Sequence, residues 1–83
     1  MASYSDFLLA TNVRAGSSRE EIERGIQQVL QQPSFSLLAK GLYTLLVEQP
    51  GEAVNPFHDL YEPAEAVHRA AEELISAGLA IRV

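Results

Sequence analysis

The sequence predicts a small, mainly α-helical single domain of about four to five helices with one or two short strands. Three observations predict it. A chain of 83 residues has material for one core, and even one is marginal at this length. Apolar residues recur at helical spacing over residues 18–31, 34–49 and 63–77. Between those runs stand the interrupters Pro33, Pro50-Gly51 and Pro56, and Gly78 follows the last. Residues 1–16 read as an N-terminal segment and 17–83 as the helical core.

Composition narrows the function classes. The hydrophobic fraction of 47% is ordinary for a globular chain, and no apolar run approaches the roughly 20 residues needed to span a bilayer. No membrane partner is expected. Cysteine is absent, so neither disulfides nor a thiolate metal site can supplement the core. MASYSDFLL has no basic n-region and too short an apolar stretch for a signal peptide, which makes a cytoplasmic location the expectation. Six Lys and Arg stand against eleven Asp and Glu, a net charge of −5 that repels phosphate backbones at long range. Nucleic-acid binding therefore needs a local basic patch.

The elements follow in order. Tyr4, Phe7, Leu8 and Thr11 sit at helical spacing, while FLLATNV also suits an extended strand; a short helix within residues 1–12 is the expectation, with Ser3 capping it and Asp6 three residues on. Val13 to Gly16 is a linker, and Gly16 suits a left-handed turn. Ser17 or Ser18 precedes Glu20 and Glu21 at capping-box spacing, and Ile22, Ile26, Val29 and Leu30 form one face, so residues 18–31 are an amphipathic helix. Glu20 and Arg24 at i,i+4 are placed to pair, and Pro33 ends the helix beyond a glutamine-rich tail that reads as a solvated face or a hydrogen-bonding surface.

A second helix runs from Ser34 or Ser36 to about Gln49. Leu37, Leu38, Leu42, Leu45 and Leu46 cover much of its circumference, and Tyr43 and Val47 lie near the opposite side, the pattern of a central helix buried on several sides. Residues 49–52 are a turn and Ala53-Val54 a fragment of strand. Asn55-Pro56 and Glu62-Pro63 are two helix-start signals seven residues apart, so two helices meet at a corner within 55–77. Val67, Ala70, Ala71 and Leu74 line the inner face of the second, Gly78 stops it, and Leu79 to Val83 alternate as a strand.

LLAKGLYTLLVEQPG followed by AVHRAAEELISAGLAIRV resembles the first helix, recognition helix and following strand of winged-helix DNA-binding proteins, a likeness spanning Ser34 to Val83. Leu74 to Leu79, where helix turns into strand, is its best local feature. The resemblance implies a helix-turn-helix at 55–77, with Pro56 to Tyr61 as second helix and Pro63 to Ala77 as a helix that enters the major groove. Two departures matter. The outward stripe of that last helix is Glu62, Glu65, Arg69, Glu72 or Glu73, and Ser76, with one cation among carboxylates, whereas base and phosphate readers present Arg, Lys, Asn or Gln. The sequence also stops at Val83, before a wing hairpin and its basic tip.

The expectation is therefore a small non-catalytic regulatory or adaptor protein of truncated winged-helix type, acting by protein–protein contact. Glu62, Glu65, Arg69, Glu72 and Glu73 would bind a partner with a basic surface, as in an inhibitor that occupies a nucleic-acid-binding groove. The alternative is a DNA-binding transcriptional or replication regulator. Phe7, Leu8, Leu37, Tyr43 and Val47, wherever left exposed, would make a partner or homodimer surface. No cofactor is implied. His58 and His68 near Asp59, Glu62, Glu65 and Glu72 lack a metal-site spacing, and His68 with Glu72 at i,i+4 reads as a surface pair. No nucleophile elbow or P-loop occurs, so no catalytic residue is assigned. Arg14, Arg19 and Arg24 stand near one another but among Glu20, Glu21 and Glu23, a poor phosphate track.

Overall fold

The computed structural model describes residues 7–57 and 62–83. The elements in order are β1 (Leu8–Ala10), α1 (Arg19–Leu30), α2 (Leu37–Val47), α3 (Ala64–Ser76) and β2 (Ala80–Arg82). Among the described residues there are three helices, not four or five. The helix expected over Pro56 to Tyr61 falls largely outside them; Pro56 and Phe57 form a turn in which the Phe57 N–H donates to the Asn55 side chain at 2.9 Å. The Ser3 cap and its Asp6 partner also lie outside the described residues.

The N-terminal expectation is corrected. Residues 8–10 form a strand, because both edges of Leu8–Ala10 find backbone partners far along the chain. On one side β1 pairs antiparallel with β2, in register Leu8 with Arg82, Leu9 with Ile81 and Ala10 with Ala80. On the other, Leu8 and Val54 exchange two backbone hydrogen bonds of 2.8 Å. Period-two burial follows: Leu8 and Ala10 enter the core while Phe7 stays exposed. Helical spacing was weak over so short a stretch, and tertiary pairing overrides it.

Helix α1 opens with a full capping box: the Glu21 N–H donates to the Ser18 hydroxyl at 3.1 Å, and the Ser18 N–H to the Glu21 carboxylate at 2.9 Å. The ion pair on α1 is Arg19 with Glu23 at 3.7 Å, between well-exposed side chains, rather than Glu20 with Arg24. Helix α2 is capped by Ser36, whose hydroxyl accepts from the Ala39 N–H at 3.1 Å. It is the central element, packed against α1, α3 and β1. Ala39, Leu42, Tyr43, Leu46 and Val47 are buried along it and meet Val29 of α1 and Ala70, Ala71 and Leu74 of α3 in one core. Small residues on both sides let α2 and α3 approach closely.

Two further contacts set the geometry. Tyr43 is fully buried and its hydroxyl, bonded to the Asn12 amide, reaches beneath α1 at Gly25, where an added Cβ would lie 2.8 Å from the phenol oxygen. Burial pushes the Tyr43 pKa up, and the Asn12 bond opposes that. At the end of α3, Gly78 at φ 80° closes the helix: its N–H donates to the Ile75 carbonyl at 3.0 Å and the Leu79 N–H to the Leu74 carbonyl at 2.9 Å. The Thr11 hydroxyl donates to the Gly78 carbonyl at 2.6 Å, fastening β1 to this turn. No helix among the described residues is long and apolar enough to cross a membrane.

Candidate interaction surfaces

The inward set of α3 is Val67, Ala70, Ala71 and Leu74, all buried, which turns the carboxylate stripe outward. The five residues of that stripe divide into two groups. Glu72 forms an ion pair with Arg82 of β2 at 2.8 Å, so it ties α3 to the sheet. Glu73 is half-buried and reaches the start of α2: one carboxylate oxygen accepts from the Ser36 N–H and the other from the Ser36 hydroxyl, both at 2.8 Å. A carboxylate at a helix N-terminus is favourably placed against the unpaired N–H groups there. Glu62, Glu65 and Arg69 are exposed and have no ion partner among the described residues. Among the described residues, the N-terminal half of the stripe is thus without ion partners, and the C-terminal half is bonded to other elements of the fold at its surface.

The second set expected to serve as a surface also divides. Leu8, Tyr43 and Val47 are core residues, exposed by 2%, 0% and 0%, and offer nothing to a partner. Leu8 enters the core from β1, while Tyr43 and Val47 lie on α2, against which α1, α3 and β1 pack. Leu37 is 86% exposed and Phe7 remains partly exposed. Leu37 begins a stripe that the sequence reading did not isolate: Leu37, Gly41 and Leu45, at i, i+4 and i+8, are all exposed on α2. An added Cβ at Gly41 would have no atom within 4 Å beyond its chain neighbours and its own helix backbone. The leucine-rich run hid this stripe, since nearly every position of the helix is apolar and only packing shows which leucines stay outside.

Arg14 and Arg24 line one polar cavity of about 450 Å³ with Asn12, Ser17 and Gln28, whereas Arg19 lies by a separate groove between α1 and α2. The three cations therefore do not form one track. His68 is exposed with its ring 5.3 Å from that of Phe57, and His58 and Asp59 lie outside the described residues. Among the described residues no three His, Cys, Asp or Glu side chains gather as a metal site. Compared with known proteins, the chain matches no family model, no curated protein and no solved structure.

Proposed function

We propose that this chain is a small non-catalytic regulatory or adaptor protein that binds a basic surface on another protein through the start of α3 and the residues just before it. The observation that carries the proposal is the exposed pair Glu62, just before α3, and Glu65, in its first turn, which have no ion partner among the described residues, while Glu72 and Glu73 are bonded to Arg82 and Ser36. Exposed carboxylates at the start of a helix suit a cationic partner, and they oppose phosphate. One version of this role is an inhibitor that covers a nucleic-acid-binding groove of its target. The test is affinity capture from the native host's extract with the wild-type chain and with Glu62→Lys/Glu65→Lys. A basic protein retained by the first and lost by the second supports the reading; retention by both overturns it.

A second reading, duplex-DNA binding, draws on one arrangement. The order α2, Val54 bridge, α3 and β2 is compatible with the winged-helix resemblance of the sequence over Ser34 to Val83, and β2 pairs antiparallel with β1. That reading predicts salt-dependent duplex binding, and no gel shift at ~50 mM salt would reject it.

A further inference from the structure

The exposed face of α2 is apolar where the fold gives no reason for it. Leu37 has most of its surface in water, and Leu45 is 40% exposed on the same side. Gly41 between them is a mid-helix glycine, which weakens a helix relative to alanine because it leaves more backbone entropy to lose. Gly25 has an internal reason for lacking a side chain, the Tyr43 hydroxyl beneath it; Gly41 has open space around it and no such neighbour. Two leucines flanking a bare stretch of backbone form a notch into which another helix can settle at short interaxial distance.

The charges around the notch indicate what settles there. Glu48 follows the stripe at the C-terminal end of α2 and is exposed. It borders a groove of about 210 Å³ between α1 and α2 that is lined by Ile22 and Ile26 and rimmed by Glu23 and Arg19. The Glu23 partner Arg19 is itself largely solvated, so that pair is easily exchanged. Lys40 lies toward the other end of the stripe and has no ion partner among the described residues. A second copy of the chain, at net charge −5, would bring like charge against this rim.

We infer that the Leu37-Gly41-Leu45 face of α2 docks an amphipathic helix of another protein, one with an apolar stripe and Lys or Arg beside it. The helix lies along α2, its backbone closest at Gly41 and its cations over Glu48 and Glu23 at the C-terminal half. This surface is separate from Glu62 and Glu65 and does not depend on them.

The experiment titrates the isotopically labelled full chain with a synthetic amphipathic helix of about four turns carrying a leucine stripe flanked by lysines, followed by NMR. Two control peptides have glutamate in place of lysine, or the same composition without an apolar face. The expected result is saturable binding of the lysine peptide with shifts centred on residues 37–48, and at least tenfold weaker binding of both controls. Leu37→Ser and Gly41→Gln, at exposed positions, should each weaken it at least tenfold with unchanged circular dichroism. Glu62→Lys/Glu65→Lys should alter it less than threefold, which separates this surface from the α3 face. Equal binding of the control peptides, shifts centred on α3, or no binding overturns the inference. So does a concentration-dependent dimer mass that Leu37→Ser abolishes, which would make a second copy the occupant.

Discussion

Removing the Glu73 carboxylate should loosen the junction between α3 and α2. Each oxygen accepts one hydrogen bond of 2.8 Å from Ser36, the residue that also caps α2, across 37 positions of sequence. A hydrogen bond to a charged group contributes roughly 1.5–3 kcal/mol at best, and the partly solvated setting here lowers that. The Ser36 cap on the Ala39 N–H is retained in this variant, so no cap loss adds to that figure. Taken together, Glu73→Ala should destabilise the fold by about 1–2 kcal/mol. Glu73→Gln, which keeps one acceptor oxygen but loses the charge, should cost about half of that. Urea unfolding followed by circular dichroism reads the change as a lower midpoint at constant slope. A double-mutant cycle with Ser36→Ala isolates the junction, with an expected coupling of about 1 kcal/mol. A loss below about 0.3 kcal/mol for Glu73→Ala, or additive effects in the cycle, would refute the assignment of a structural role to this carboxylate. The result also bears on the proposed function: charge reversal at Glu73 would damage folding, so the proposed partner surface has to be probed at Glu62 and Glu65.

Other expected outcomes follow from single contacts. Gly51 has φ 83°, and an added Cβ would lie 2.5 Å from the Ala15 backbone nitrogen, so Gly51→Ala should destabilise by about 3 kcal/mol or more; Gly78→Ala, at φ 80° in open space, should cost only about 1–2 kcal/mol. Urea midpoints rank the two, and equal losses would contradict the close approach of residues 15 and 51. Gly41→Ala should instead stabilise the isolated chain by about 0.5–1 kcal/mol, read as a higher melting temperature. The raised pKa of Tyr43 means that the unfolded chain ionises this phenol first. Its contribution is intact below the ordinary value of 10.0 and declines as pH rises from there toward the folded value. Stability measured between pH 8 and 11 should therefore fall less steeply in Tyr43→Phe than in the wild type.

Local chemistry made much of the fold legible. Ser18 with Glu21, Ser36 ahead of the leucine run, Pro33 and Gly78 fix where helices start and stop through interactions within a few residues, and such signals survive in any context. The inner face of α3 and the strand after it were equally plain from spacing and alternation. Residues 8–10 were not, because three residues are too few for a period and their hydrogen-bond partners, Val54 and residues 80–82, are remote.

The candidate surfaces show the same division. The sequence by itself determined that α3 turns carboxylates outward, since Val67, Ala70, Ala71 and Leu74 must face the core. Only the tertiary structure decided which carboxylates bond to other elements, because Glu73 meets Ser36 and Glu72 meets Arg82 through contacts that no local pattern encodes. It also decided the fate of α2, where every face is apolar: packing by α1, α3 and β1 buried Tyr43 and Val47 and left Leu37, Gly41 and Leu45 in water. Periodicity states how apolar a face is, and the neighbours that arrive from elsewhere in the chain determine which apolar face is covered.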